Sequence, residues 1–152
     1  MNGIFWLTQD LLTVLTYGTV RMPEIFMLSL VYRLFTGGRD AYVSVIWTAF
    51  FGGLLWDLRW VGIPFFTLCY VAVVMGVMSV WNTLPSSGRT AFVIFFLFWT
   101  AQLLPAVLSV LILDRKAGNL SWTLFGVQQS CAAPVSLLGA FFYFQHEKNR
   151  NA

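Results

Sequence analysis

Apolar residues run along almost the whole chain, and short polar segments interrupt them at intervals of about 18 to 30 residues, which is the spacing of membrane crossings. The interruptions leave six apolar segments, which cover residues 4–20, 25–35, 41–56, 61–81, 90–113 and 120–144. A helix that crosses a membrane needs about 20 predominantly apolar residues. The pattern therefore predicts an all-α fold, a polytopic bundle of about six transmembrane helices.

The second segment is the exception, because residues 25–35 are too few to cross a membrane by themselves. As a helix they rise about 17 Å, whereas the hydrocarbon core is about 30 Å thick. Two arrangements remain open. There are six crossings if Arg33 extends its side chain to the interface, or five if the second and third segments form a broken or re-entrant pair. Because a break inside the membrane must be covered by protein, Gly52-Gly53 is the expected place for it.

Composition agrees with a membrane-embedded chain. Of the 152 residues, 59% are hydrophobic and only 10% are charged, whereas soluble domains are closer to half apolar and a quarter charged. This favours a single transmembrane helical domain at 1–145, followed by a polar tail at 146–152. The net charge of +3 is small and scattered, which argues against nucleic acid as a partner.

The basic residues predict an orientation. In a bundle with six crossings, five basic residues lie on the side of both termini (Arg33, Arg39, Arg89, Lys148, Arg150) and four on the other (Arg21, Arg59, Arg115, Lys116). Cytoplasmic loops carry an excess of Lys and Arg, so we expect both termini to be cytoplasmic. No cleavable signal pattern precedes the first apolar segment, and we expect the first helix to be retained.

Groups that catalyse reactions or bind metals are sparse. His146, the only histidine, lies in the polar tail, and Cys69 and Cys131 lie in separate apolar segments without a partner at metal-ligand or redox spacing. Acid–base and nucleophilic catalysis need a titratable group beside the reacting one, and no such constellation is apparent. The sequence therefore predicts a protein that is not an enzyme and that holds no metal or cofactor.

Asp57 is the most informative polar residue, because it ends an apolar segment and an unpaired buried carboxylate is costly in a membrane. One interpretation is structural: Asp57 lies at the interface, caps the following turn or pairs with Arg59. Another is that Asp57 anchors the helix–loop junction against a neighbouring helix or a partner. A catalytic or proton-relay role is the third alternative.

Small residues and amides supply the remaining candidates. Gly52 and Gly53 are expected to let helices approach closely, and Gly62 to begin the fourth helix. Pro23-Glu24 is expected in the first turn of the second helix, where the missing proline N–H costs nothing and the carboxylate faces the positive end of the helix dipole. Three amides inside the last two segments are expected either to bond across helices or to line a small-molecule pocket: Gln102, Gln128 and Gln129.

Two stretches resemble the family of the bacterial rod-shape-determining protein MreD. The first is Pro23-Glu24 after a short first segment, where the family usually has Pro-Asp. The second is FFGGLLWDL at 50–58 followed by VGIPF at 61–65, which is similar to the family's glycine-leucine-x-x-aspartate-leucine motif and to the glycine that opens the next helix. The resemblance covers about Pro23 to Met75, and the last two segments show no signature of the family.

The resemblance implies a non-enzymatic component of the bacterial inner membrane that belongs to the cell-elongation machinery. It implies an MreC-like bitopic partner, a link to MreB filaments, and contact with peptidoglycan synthases of the SEDS and class B penicillin-binding families. The residues expected to shape the partner-binding or structural region are Pro23, Glu24, Gly52, Gly53, Asp57, Arg59 and Gly62. The family's fold is similar to that of the substrate-binding subunits of energy-coupling-factor transporters, so binding of a vitamin or another small molecule is the alternative function.

Overall fold

The computed structural model describes residues 2–16, 22–85, 88–114 and 122–150, and within these ranges the chain contains helices and turns but no strand. Six α-helices follow one another there: α1 (Asn2–Leu15), α2 (Ile25–Thr36), α3 (Ala41–Trp56), α4 (Phe65–Thr83), α5 (Ala91–Ser109) and α6 (Trp122–Arg150). A π-helical turn extends α3 over Asp57–Val61, and another extends α5 over Val110–Asp114. The predicted all-α bundle is confirmed.

Four of the described helices are long and apolar enough to cross a membrane: α3 with its π-helical turn, α4, α5 with part of its π-helical turn, and α6. Large apolar side chains on these helices are more than half exposed, for example Trp47, Leu68, Phe92 and Leu137. Such a surface is typical of a bundle surrounded by lipid rather than water. The chain is therefore a membrane-embedded protein.

The short helix α2 lies at the centre of the bundle and contacts each of the other five helices. Seven of its 12 residues are buried, and four of them have no exposed surface: Met27, Leu30, Val31 and Leu34. Its rise of about 18 Å is shorter than the hydrocarbon core. Because protein surrounds most of α2, this helix is held by its neighbours and its length need not match the bilayer.

Helix α1 runs in the same direction as α3. The Trp6 Nε1–H donates to the carbonyl oxygen of Gly52 at 3.0 Å, and one turn later Asp10 forms an ion pair with Arg59, just beyond α3. The helix ends at Leu15, whereas the first segment was predicted to continue to residue 20. Residues 17–20 of that prediction lie outside the described residues.

In the five-crossing alternative a break was expected at Gly52-Gly53, but α3 continues through both glycines. The chain turns instead on either side of α3, at 37–40 and 62–64. Each of these turns holds a glycine in the left-handed region that other residues rarely adopt, Gly38 with φ of 63° and Gly62 with φ of 79°. Segments two and three are consequently two complete helices joined by a turn.

Other limits shift by a few residues. Gly62 and Pro64 precede α4, which begins at Phe65, whereas the fourth segment was predicted from residue 61. Helix α6 continues to Arg150, so the described part of the polar tail is helical. Arg21, Arg115 and Lys116, three of the residues behind the predicted orientation, lie outside the described residues.

The two ends of the bundle differ in chemistry. At the end where α2 and α4 begin, called the Asp57 end, buried carboxylates predominate. At the opposite end, called the Arg89 end, the Phe35 and Trp81 rings stack at 4.1 Å and the Arg89 guanidinium lies 4.2 Å from the Trp81 ring centre. Tyr143 of α6 meets both rings edge-on, so this aromatic cluster joins α2, α4 and α6.

Candidate functional site

Asp57 caps helix α4. Its carboxylate is almost fully buried and accepts hydrogen bonds from the backbone N–H of Phe66 at 2.8 Å, and from the N–H and hydroxyl of Thr67, both at 2.7 Å. The first N–H groups of a helix have no partner within the helix, and its N-terminus carries a partial positive charge. A carboxylate at this place satisfies both requirements, so the capping interpretation of Asp57 is correct.

Arg59 pairs with Asp10 rather than with Asp57. Its guanidinium lies 2.6 Å from a carboxylate oxygen of Asp10, whose side chain is 8% exposed, whereas that of Arg59 is 50% exposed. The Trp60 indole N–H donates to the other oxygen of Asp10 at 3.3 Å. The π-helical turn after α3 is thereby tied to α1 by an ion pair that sequence spacing did not reveal.

Glu24 lies directly before α2, whereas Pro23-Glu24 was expected in the first turn of that helix, and the Glu24 side chain does not cap it. The cap comes from Gln9 of α1, whose Oε1 accepts from the backbone N–H of Phe26 at 2.7 Å. The amide nitrogen of Gln9 donates to Glu24, and the Tyr70 hydroxyl of α4 donates to the same carboxylate oxygen at 3.2 Å. Three helices therefore meet at the buried carboxylate of Glu24, through two residues that the sequence analysis did not single out.

Gly52 and Gly53 are contact points between helices of the same chain. A Cβ on Gly52 would overlap the Phe26 ring of α2. A Cβ on Gly53 would lie 2.6 Å from the Thr67 Cα and 2.8 Å from the Phe66 carbonyl oxygen of α4. The predicted close approach is confirmed, and it brings the start of α4 within reach of the Asp57 carboxylate.

Gly62 completes this junction. The π-helical turn ends at Val61, and the N–H of the following Gly62 donates to the carbonyl oxygen of Asp57 at 2.6 Å. Because Gly62 adopts the left-handed conformation, the chain turns back within Ile63-Pro64. The turn places the backbone of Phe66 and Thr67 within hydrogen-bond distance of Asp57. We call the buried carboxylates Asp10, Glu24 and Asp57, together with their donors, the carboxylate junction.

The glutamines bond to other segments of the chain, and Gln102 and Gln129 bond to each other across α5 and α6. Gln102 of α5 donates to Gln129 of α6 at 3.4 Å, and Gln128 donates to the carbonyl oxygen of Met22 at 2.8 Å. Three of their amide atoms are buried without a hydrogen-bond partner: Gln102 Oε1, Gln128 Oε1 and Gln129 Nε2. If the amide oxygen and nitrogen positions are exchanged in both Gln102 and Gln129, the hydrogen bond between the two side chains is kept. One buried donor and one buried acceptor of this pair are then again without a partner.

The chemistry of the carboxylate junction is that of hydrogen-bond acceptance. Each of its carboxylates accepts from amide, hydroxyl, indole or guanidinium donors that hold helix ends together. Across the described ranges, His, Cys, Asp and Glu form no group of three that could hold a metal ion. Of the two free cysteines, Cys69 is buried and Cys131 is exposed, and His146 is exposed on α6.

No family model matches the chain, and neither the curated proteins nor the solved structures contain a significant match.

Proposed function

We propose that the chain is a non-enzymatic scaffold of the bacterial cell-elongation machinery, an MreD-like protein of the inner membrane with both termini in the cytoplasm. In this function it binds an MreC-like bitopic protein and helps to couple MreB filaments to peptidoglycan synthesis by SEDS and class B penicillin-binding synthases. The observation that carries the proposal is the convergence of the MreD-like residues on one junction.

The convergence is specific in its contacts. Gly52 lies against Phe26, two residues after Glu24, while Gly53 lies against Thr67, whose N–H and hydroxyl bind Asp57. Two stretches that are separate in sequence, 23–24 and 50–65, therefore form a single packed unit. A family motif that builds one junction supports a shared architecture, and it leaves the outer helix surfaces for partners.

The proposed partner surface is on the lipid-facing side of α3. Gly53 and most of α2 are covered by the chain's own helices, so a partner helix does not reach them. Trp47, Phe51 and Leu55 recur every four residues on one exposed face of α3, and the first two rings stack at 5.7 Å. We call these three residues the α3 stripe.

Co-purification with the MreC homologue of the same organism tests the proposal. Replacing Phe51 and Leu55 by alanine should reduce recovery of the partner about fivefold or more, as truncation of central interface residues typically does. Phe92→Ala and Leu137→Ala, on exposed faces of α5 and α6, are the matched controls and should leave recovery unchanged. Equal recovery with all variants at equal thermal stability would refute the α3 stripe, and no recovery with the wild type would refute the scaffold function.

The orphaned glutamine atoms favour one alternative, a substrate-binding subunit of a vitamin or small-molecule transporter. Leaving buried amide atoms unpaired costs about 1 to 3 kcal/mol each, and a bound polar molecule would recover part of that. The test is thermal unfolding of the detergent-solubilised protein with a panel of vitamins. A midpoint that rises with ligand concentration, and that no longer rises in Gln102→Leu, would support this alternative.

A further inference from the structure

An open groove with a volume of about 410 Å³ runs between α1 and α3. Its lining is apolar or small and carries no charged residue, with Gly3, Ile4 and Leu7 from α1, Thr48 and Gly52 from α3, and Phe26 from α2. The Thr48 hydroxyl donates to the carbonyl oxygen of Ser44 at 2.6 Å, so it presents its methyl group and no unused donor. The groove therefore suits a hydrocarbon chain.

The faces of α2 and α3 that line the groove continue along both helices to the guanidinium of Arg33. Gly52, Thr48 and Ser44 follow at intervals of four residues on one face of α3, and Phe26 and Arg33 are seven residues apart on one face of α2. The two faces are antiparallel, because Phe26 lies against Gly52 while the Arg33 guanidinium donates to the Ser44 hydroxyl at 3.1 Å. Arg33 consequently lies about 12 Å from the level of Gly52, toward the Arg89 end.

Arg33 is suited to a phosphate. Its side chain is exposed, and Ser44 takes one of the five N–H donors of a guanidinium, whose planar fork matches phosphate oxygens. Arg39 and Asp40 are also exposed in the turn between α2 and α3, and their opposite charges offset each other. Arg59, at the other end of α3, is already paired with Asp10. Arg33 therefore keeps guanidinium donors that a phosphate can use.

The lining and Arg33 together indicate the kind of occupant. The groove is apolar along α1 and α3, which suits an acyl chain, and the exposed guanidinium of Arg33 on the continuing helix faces suits a phosphate. A phospholipid joins these two groups in one molecule.

We infer that the α1–α3 groove and Arg33 form a binding site for one anionic phospholipid, with its phosphate on the Arg33 guanidinium and one acyl chain along Thr48 and Gly52. The site lies beside the α3 stripe and does not depend on the proposed scaffold function. It assigns a role to Gly3, where the absence of a side chain keeps the groove open.

Native mass spectrometry and thermal unfolding of delipidated protein test the site, with dioleoyl phosphatidylglycerol as the probe, dioleoyl phosphatidylcholine as the neutral lipid, and glycerol phosphate as the headgroup alone. The wild type should retain one phosphatidylglycerol and unfold at a higher temperature with it than with phosphatidylcholine. Arg33→Gln should weaken phosphatidylglycerol binding about fivefold. Arg39→Gln, which removes a charge in the neighbouring turn, should change it less than twofold.

Gly3→Leu tests the apolar part of the proposed lipid site, the groove that would hold the acyl chain. Gly3 lines the groove and a Cβ there meets nothing within 4 Å, so leucine at this position should take up groove space. Gly76→Leu on α4 is the control, because a Cβ at Gly76 also meets nothing within 4 Å. Gly3→Leu should abolish the retained lipid, whereas Gly76→Leu should keep it. A photoreactive acyl chain should label the groove in the wild type.

Three results would overturn the proposal. They are equal binding of the two lipids by the wild type, full phosphatidylglycerol preference in Arg33→Gln, and stabilisation by glycerol phosphate equal to that by the lipid. Crosslinks from groove residues to a co-purified polypeptide, without any to lipid, would assign the groove to a protein partner and overturn it as well.

Discussion

One carboxylate oxygen of Asp57 accepts two hydrogen bonds from Thr67, from its backbone N–H and from its hydroxyl, each 2.7 Å long. The two residues are ten positions apart, and the chain between them makes a π-helical turn, a left-handed glycine and a proline turn. Because Gly53 packs against Thr67 in the same place, the end of α3 and the start of α4 are fixed both sterically and electrostatically. This joint determines how the two helices cross.

Replacing Asp57 by alanine should destabilise the protein by about 2 to 4 kcal/mol, because it leaves two buried N–H groups and a hydroxyl without an acceptor. Asp57→Asn retains one carbonyl oxygen and should lose less. The measurement is thermal unfolding in detergent, followed by tryptophan fluorescence. An alanine variant that unfolds at the wild-type temperature would show that the cap does not stabilise α4.

Gly53→Ala should destabilise by about 1 to 3 kcal/mol or prevent folding, because the added Cβ meets backbone atoms of Phe66 and Thr67 that cannot rotate away. Gly76→Ala is the control, since a Cβ there meets nothing within 4 Å. At that position helix propensity alone should stabilise by up to about 1 kcal/mol. Equal unfolding temperatures for the two variants would contradict the close approach of α3 and α4.

Gly52 and Phe26 should be energetically coupled. Gly52→Ala is expected to destabilise the protein because its Cβ overlaps the end of the Phe26 ring, which belongs to a side chain. Phe26→Leu shortens that side chain, so the double variant should be more stable than the sum of the single effects predicts, by about 1 kcal/mol. A double-mutant cycle of unfolding free energies measures the coupling, and strict additivity would argue against this contact.

Gln9→Leu should be more destabilising than Tyr70→Phe. The first change removes both the acceptor of the Phe26 N–H and a donor to Glu24, whereas the second removes one donor at 3.2 Å. A neutral hydrogen bond contributes about 1 kcal/mol and one to a charged group about 1.5 to 3 kcal/mol, and unsatisfied partners add to the loss. Unfolding free energies in detergent compare the two variants, and the reverse order would show that Gln9 does not cap α2.

The arrangement of helices along the chain could be predicted from the sequence because hydrophobic runs and polar interruptions are local properties. The limits of α2 and α3 agree with the predicted segments to within one residue. The capping of α4 by Asp57 was among the predicted alternatives, since an acid at the end of an apolar segment needs a partner nearby. Close packing at Gly52 and Gly53 was predicted for a similar reason, whereas the break considered there as an alternative does not occur.

The partners of the buried polar groups were decided only by tertiary structure. Asp10 with Arg59, Gln9 with the start of α2, and Tyr70 with Glu24 join residues 15 to 49 positions apart, and no local pattern specifies such pairs. The local sequence does not specify the central position of α2 either, because a short apolar helix has the same kind of sequence whether protein or lipid surrounds it. Sequence determines which side chains must leave water, since hydrophobicity belongs to each residue. Which helix receives each buried polar group depends on how the helices pack together.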